Sequence, residues 1–324
     1  MMRRTARIAT TLFLGATTAW YGACATGGDD AAACDGPCGD GASGPEAEAG
    51  DEAGAETPPD DTGDADGTSV DDGDGTDTGS CVPTEAPEVT CNRIDDDCNG
   101  IIDDVDLGGD GICDCLGILL LGDPGPNPGA AFVAWLTARG TTATRRVDTA
   151  GGPLTAADLV GIDVVVLDRL SRDYEASEVA VLHAFLGAGG GLISMTGYDW
   201  RGPDATRPNG ILAGLGAVYD AGVHIDGPLT DPLAVHPISE GIDTMTFHGG
   251  YPVTALDGFA TAVVARVGGT SVGVAVELGD GRVFVWGDEW IEYDSEWAAM
   301  PAVARLWANL LGWLVPRRCN VPIF

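Results

Sequence analysis

Lysine is absent from this chain, and basic residues of any kind are scarce. All 16 basic residues are arginines, against 50 aspartates and glutamates, and the formal net charge is −34. Proteins that bind nucleic acids neutralise phosphates with Lys and Arg, so this balance excludes nucleic acid as an expected partner. Apolar runs long enough to cross a bilayer, about 20 residues, are also missing. The mainly apolar stretch at residues 8–20 is shorter than that.

The N-terminal stretch has the pattern of an export signal. Three arginines among the first seven residues precede the apolar run, and small residues lead to Cys24. This resembles a bacterial lipobox, in which Cys24 is lipidated and becomes the first mature residue. Because Tyr21 stands where Leu is usual, ordinary signal-peptidase cleavage is the alternative. We expect a signal peptide at 1–23 and an outer-membrane or cell-surface lipoprotein held by its lipid, with a periplasmic or secreted protein as the alternative.

Residues 24–80 form an acidic, low-complexity segment. Residues 25–80 contain 17 acidic and no basic side chains, among Gly, Ala, Thr and Pro. Such a composition cannot bury enough apolar surface to offset its ordering entropy, and like charges extend it. We expect a disordered tether that holds the folded part away from the membrane.

Residues 95–106 have the spacing of a calcium-binding loop. Oxygen-bearing side chains occupy loop positions 1, 3, 5, 9 and 12, Gly100 takes position 6, and position 7 supplies its backbone carbonyl. Position 12 is Asp rather than the bidentate Glu of sensor proteins, and no helical pattern flanks the loop. We therefore expect a structural Ca²⁺ site rather than a switch, with an acidic, solvated turn as the alternative. The predicted ligands are Asp95, Asp97, Asn99, Ile101, Asp103 and Asp106.

The nine cysteines indicate disulfides, because the expected compartment is oxidising. Without Cys24, eight remain: Cys34, Cys38, Cys81, Cys91, Cys98, Cys113, Cys115 and Cys319. The first two can close a small loop within the tether, and the other six allow 15 pairings. We expect Cys319 to pair with Cys113 or Cys115. A four-cysteine zinc site is the weaker alternative, since no C-x₂-C pair occurs. Five of the six define a Cys-rich module at 81–115.

Residues 116–318 alternate buried-strand and helix patterns, which indicates βαβ units and a doubly wound, mostly parallel sheet of the flavodoxin type. A short tail, 319–324, follows. Strands are predicted at 116–122, 142–147, 163–168 and 191–197, and antiparallel strands at 260–267, 272–278 and 282–286. Helices are predicted at 130–140, 177–186, 209–219 and 301–314.

Three phrases in this domain resemble the class I glutamine amidotransferase-like fold, in particular its ThuA-like branch. They lie at 189–197, at 236–242 and at 281–288. Separately, 91–115 resembles the metal-binding motif repeats of exported proteins from myxobacteria and their relatives. The amidotransferase resemblance implies a nucleophilic Cys after a central strand and a His-x-Glu pair after a later one. This chain has Thr196 at the first place and no His at 287–290, so we do not expect a thiol-based amidase.

Polar residues at the predicted strand ends form a candidate pocket, because ligands of open α/β sheets bind beyond the carboxyl ends of the strands. Acids beside aromatics there suit a carbohydrate or other envelope ligand. The alternative is that these residues only end strands. We expect non-catalytic binding or scaffolding at the cell envelope; the alternative is a carbohydrate-active or metal-assisted enzyme. The candidate pocket residues are Asp123, Asp168, Thr196, Tyr198, His248, Asp288 and Glu289.

Overall fold

The computed structural model describes residues 81–106, 108–109, 114–196, 202–230 and 235–316. The predicted signal peptide, tether and C-terminal tail lie outside these ranges. So do several residues singled out above, namely Cys24, Cys34, Cys38, Cys113, Tyr198 and Cys319.

Strands and helices alternate through the first half of the α/β domain, as predicted. The strands are β1 Gly117–Leu121, β2 Thr142–Arg146, β3 Val164–Leu167, β4 Gly191–Met195, β5 Ala217–Tyr219, β6 Ile225–Pro228, β7 Thr246–Gly250, β8 Val253–Ala255, β9 Ala260–Val267, β10 Thr270–Leu278 and β11 Gly281–Trp286. The helices are α1 Ala130–Thr137, α2 Ala176–Gly187, α3 Gly202–Leu212, α4 Asp294–Ala299 and α5 Ala302–Leu314, with 3₁₀ turns at Ala156–Leu159, Pro237–Ser239 and Trp290–Glu292.

Seven strands form the central sheet, in the order β2-β1-β3-β4-β11-β10-β9. The first five are mutually parallel, while β10 runs antiparallel to both β11 and β9. Two small antiparallel pairs, β5–β8 and β6–β7, lie outside it. The predicted doubly wound, mostly parallel α/β fold is therefore confirmed.

Helices cover both faces of this sheet, which explains why its central strands are apolar without alternation. All four residues of β3 are fully buried. On one face Phe132 of α1 packs against Trp307 of α5, with ring centroids 4.4 Å apart. On the other face Leu182 of α2 and Ile211 of α3 join a second buried cluster. The core thus holds the carboxyl ends of β1, β3, β4 and β11 at one edge.

The predicted helix at 209–219 is wrong in its second half. Helix α3 ends at Leu212, and Ala217–Tyr219 forms β5 instead. Gly214 and Gly216 both adopt positive φ (81° and 86°), which glycine tolerates and which ends a helix. The Asn209 amide then bonds to the backbone N–H and C=O of Tyr219 and turns the chain back onto the sheet.

The described residues of the Cys-rich module contain no helix or strand, and two disulfides hold them together: Cys81–Cys98 and Cys91–Cys115. The predicted Cys115–Cys319 pairing is therefore wrong, as is a zinc site built on these four cysteines. The Cys113–Cys319 alternative falls outside the described residues. The module joins the α/β domain where the Cys115 N–H donates to the Arg139 carbonyl at 3.1 Å.

Within the described residues, none of the helices combines the length and the apolar character needed to cross a membrane.

Candidate functional site

The acidic loop gathers three carboxylates around one point. Glu88, Asp95 and Asp97 each present an oxygen, and these oxygens lie within 4.8 Å of one another. Gly100 adopts φ 91°, which allows the sharp turn that the loop spacing predicts. Its N–H donates to Asp95 at 2.9 Å and shapes the turn from inside. Three clustered carboxylate oxygens fit a hard cation such as Ca²⁺.

The other predicted ligands lie outside this group. The Asp103 carboxylate is buried and accepts the backbone N–H groups of Asn92 and Arg93 at 2.9 and 2.8 Å. The Asn99 amide donates to Asp97 and Asp104, at 3.1 and 2.9 Å. Of the six predicted ligands, the structure thus brings together Asp95 and Asp97. Asp106 is half-buried, and Ile101 lies beyond the turn, where its N–H donates to Asn99 Oδ1 at 2.8 Å.

Glu88 is the member of this group that the loop spacing misses. It lies seven residues before the loop, is only 4% exposed, and accepts the N–H groups of Asp96 and Asp104, the latter at 2.9 Å. Because it bonds to the loop backbone from outside, no twelve-residue pattern could contain it. Its signal in the sequence is only an acid between two cysteines.

A second candidate site lies at the carboxyl edge of the sheet, between β1 and β3. The chain leaves β1 for β2 on one side and returns to β3 on the other, which makes this the place where α/β sheets open a ligand crevice. A Cβ on Gly122, whose φ is 120°, would overlap the carbonyl oxygen of Asp168, so only glycine lets the two strand ends approach. A cavity of about 230 Å³, called the cleft below, lies beside this point over the ends of β1 and β2, and its polar lining includes Asn127, Arg145, Glu292 and Tyr293.

Five buried acids lie at this edge of the sheet, although Asp and Glu are rarely buried unless paired, and one of them, Glu292, lines the cavity. Each of the five is at most 4% exposed. They are Asp168, Asp288, Glu289, Glu292 and Glu296. Two arginines from neighbouring strand ends neutralise part of this charge.

Arg145 holds the first pair of acids. Its guanidinium donates to Asp168 Oδ2 at 2.7 Å and to Glu292 Oε2 at 3.3 Å. Burial, then the charge of Asp168, raises the pKa of Glu292 well above its usual value. Burial also raises the pKa of Asp168, but there Arg145 opposes the shift. Burial and the charge of Asp168 thus favour the uncharged form of Glu292, while Arg145 favours the ionised form of Asp168.

Arg169 holds a third acid behind Tyr293, outside the lining of the cleft. Its guanidinium and the Tyr293 hydroxyl both donate to Glu289 Oε1, each at 3.2 Å. Burial, and next the charge of Glu289, raises the pKa of Tyr293, so the phenol stays protonated. Arg169 adopts φ 51°, a left-handed conformation that costs a non-glycine residue energy and often marks functional loops.

The remaining predicted pocket residues diverge from the cleft. The Asp288 carboxylate accepts the backbone N–H groups of Trp290 and His248, at 2.8 and 3.0 Å, and so holds its neighbouring backbone. Burial raises its pKa well above the usual value. The Thr196 hydroxyl donates to the Gly287 carbonyl at 3.2 Å. His248, partly exposed, places Nε2 at 2.9 Å from Glu296 Oε2.

Sequence reasoning therefore finds part of the cleft and misses the rest. Asp168 bonds to Arg145 and Glu289 to Tyr293, both of which line the cavity, and half-buried Asp123 contributes its carbonyl, which accepts from Arg145 at 3.4 Å. Arg145 and Glu292 were not predicted. The available signal was the spacing of Glu289, Glu292 and Glu296, three and four residues apart as on one face of a helix.

Solved structures of other proteins share this fold at low identity. A cytoplasmic protein from Salmonella typhimurium LT2 matches with a TM-score of 0.51 and 15% identity, over 62% of this chain and 100% of that one. A ThuA-like protein from Parabacteroides merdae gives a TM-score of 0.42 at 13% identity, covering 63% and 91%. A glutamine amidotransferase from Thermotoga maritima gives 0.43 at 11%, covering 62% and 98%.

No protein-family model matches the chain, and no curated protein is significantly similar to it in sequence. The structural likeness shows the α/β fold alone, and no activity follows from it. The resemblance of 91–115 to metal-binding motif repeats stays a prediction.

Proposed function

We propose that this chain is an exported, lipid-anchored envelope protein in which a calcium-stabilised, disulfide-bonded module carries a non-catalytic α/β binding domain. The observation that carries the proposal is the group of Glu88, Asp95 and Asp97, placed within a module closed by two disulfides. Disulfides persist in oxidising compartments, which supports export. Structural cation sites and disulfides both compensate for a segment with little core of its own.

Two observations support a binding role for the α/β domain: the catalytic Cys and His of amidotransferases are replaced, and two polar residues near those places are engaged in backbone hydrogen bonds. At the places of the amidotransferase nucleophile and base, the chain has Thr196 and residues 287–290, without Cys or His. Thr196 and Asp288 are committed to backbone hydrogen bonds. The partner expected from acids beside aromatics is a carbohydrate or another envelope ligand.

Thermal unfolding of the full chain, with disulfides intact, tests the calcium site. Calcium at 100 times its dissociation constant stabilises the folded state by about 2.7 kcal/mol, so the midpoint should rise with calcium and fall in excess chelator. Asp97→Ala and Glu88→Gln should each reduce the rise. Asp173→Ala, which removes an exposed acid of the α/β domain, is the matched control. An unchanged midpoint would reduce the loop to a solvated acidic turn.

Lipid attachment is tested on the expressed protein in a bacterial host. Mass spectrometry of the N-terminal peptide should find a diacylglyceryl group on Cys24, and Cys24→Ser should release the protein from the membrane fraction. An unmodified N-terminus near residue 24 would favour the secreted or periplasmic alternative.

The second candidate function, a carbohydrate-active or metal-assisted enzyme, is favoured by the raised pKa of Glu292 beside Asp168, whose ionised form Arg145 favours. Paired carboxyl groups of unequal pKa are the pattern of acid–base catalysis in glycosidases. Release of aryl alcohol from a panel of aryl glycosides, abolished by Glu292→Ala and unaffected by Glu175→Ala, would establish it. No turnover would leave the binding role.

A further inference from the structure

We propose that the cleft lined by the ends of β1 and β2, the loop after β1 and the Glu292–Tyr293 segment is a binding site for a small uncharged ligand bearing hydroxyl or amide groups. Arg145, Glu292 and Tyr293 are the residues that select it. The inference rests on the binding role proposed above and gives that role a place, a size and a charge preference.

Backbone and side-chain hydrogen bonds fix the walls of the cleft. One wall is the loop after β1, whose Pro128 carbonyl accepts the Asp294 N–H at 2.8 Å. The Asp294 carboxylate in turn accepts the Ala131 N–H at the start of α1, at 2.7 Å. These two bonds fix the loop, the helix start and the segment carrying Glu292 and Tyr293 relative to one another. A binding site held in this way loses little freedom when a ligand enters.

Its volume limits the ligand to about one small ring. At about 230 Å³ it is smaller than the 300–1,000 Å³ that holds drug-sized molecules. Leu120, Phe132 and Ala143 supply apolar lining on the side of the sheet and α1. Asn127, exposed at the rim, and Tyr293 supply polar groups opposite them. Apolar and hydrogen-bonding surfaces thus face one small space.

The charged groups at the lining favour a neutral ligand over an anion or a cation. An anion would meet Arg145, but that guanidinium already bonds Asp168 and Glu292, and Asp168 would repel the anion. A cation would meet the guanidinium itself, and burial favours the uncharged form of Glu292. A neutral ligand avoids both penalties. It can accept from the guanidinium edge or the Asn127 amide and donate to a carboxyl or carbonyl oxygen.

The test is calorimetric titration of the full chain, in calcium, with small probes of matched shape and different charge. The probes are glucose, its anionic acid glucuronate and its cationic amine glucosamine, with propionamide as a neutral amide. We expect glucose or propionamide to bind at least tenfold more tightly than either charged probe. Equal or tighter binding of glucuronate or glucosamine would overturn the proposal, and so would the absence of binding by both neutral probes.

Variants locate the binding within the cleft. Arg145→Gln should weaken neutral-probe binding about tenfold or more, as expected when a charged donor is lost. Its neighbour Arg146, on the opposite face of β2, pairs with Asp158 at 2.7 Å, so Arg146→Gln is the matched control. Equal loss in both variants would contradict the assignment.

Two further variants cover the case in which Arg145→Gln fails to fold. Asn127→Ala changes only the rim, and Gly125→Ala places a Cβ against the Tyr293 ring and closes the cavity. Both should weaken binding of the neutral probes, and full binding by Gly125→Ala would place the ligand elsewhere. If the probes fail while calcium still raises the unfolding midpoint, this inference falls and the calcium proposal stands.

Discussion

At the residue scale, the cleft concentrates ionisable groups that the fold could hold only in pairs. Removing one partner of a buried ion pair costs about 3–5 kcal/mol, because the other charge stays buried without compensation. Asp168 accepts from Arg145 and Glu289 from Arg169, while burial raises the pKa of Glu292 and favours its uncharged form. Perturbed groups of this kind cluster at functional sites more often than elsewhere, and this supports a binding role at the cleft.

The raised pKa of Glu292 predicts that the free energy of unfolding falls as the pH rises. Its pKa is raised by burial, and next by Asp168, from a usual value of 4.5. Above that value the unfolded chain releases this proton while the folded chain keeps it, so stability is lost as the pH rises through the folded pKa. Glu292→Gln should flatten this loss, by at most about 1.4 kcal/mol per pH unit. Urea unfolding at pH 5, 6, 7 and 8 measures it.

A residual slope should remain in that variant, because burial also raises the pKa of Asp288. Glu175→Gln, at an exposed position, serves as the control and should leave the pH dependence of the wild type unchanged. An identical slope in Glu292→Gln and the wild type would show that Glu292 is ionised in the folded protein.

At the element scale, close approach of backbones fixes how β7 packs beside β11. A Cβ on Gly250 would overlap the carbonyl oxygen of Gly287, which already accepts the Tyr251 N–H at 2.9 Å. Gly250→Ala should therefore destabilise the fold by about 1–3 kcal/mol, the usual cost of overpacking.

Gly210, inside α3, has open space around its Cβ position. Gly210→Ala should instead stabilise by about 0.5–1 kcal/mol. Urea unfolding measures the free energy of unfolding of both variants, and equal changes in Gly250→Ala and Gly210→Ala would contradict the packing argument.

The sequence predicts helices and strands well where a local residue pattern is compatible with only one kind of element. The apolar run at 163–168 becomes β3 because a parallel strand covered on both faces needs no polar side. The three-residue strands β5 and β8 depend on each other, and neither is visible locally. Predicting a helix through 217–219 therefore fails where tertiary pairing overrides local pattern. The same holds for Arg145 and Glu292, which meet across 147 residues of chain.

At the whole-molecule scale, the Cys-rich module is fixed to the amino edge of the sheet rather than only tethered to it. The Arg93 guanidinium donates to the Gly161 carbonyl and lies 3.4 Å from Asp163 Oδ2. Asp163 in turn accepts the Gly117 N–H, at the start of β1, at 2.7 Å. The Arg93 backbone N–H also bonds Asp103 inside the acidic loop. One residue thus connects the proposed calcium loop to the first strand of the sheet.

This connection predicts that calcium bound in the module stabilises the α/β domain through Arg93. None of the eight tryptophans lies in residues 81–115, so their fluorescence reports unfolding outside the module. In the wild type, calcium should raise the fluorescence midpoint. Arg93→Ala should shrink that rise while calcium affinity, measured by titration, stays within a few-fold, because its backbone N–H is retained. Arg266→Ala, on β9, is the control. A full rise in Arg93→Ala would mean that the disulfide-bonded chain itself, not this contact, transmits the stabilisation.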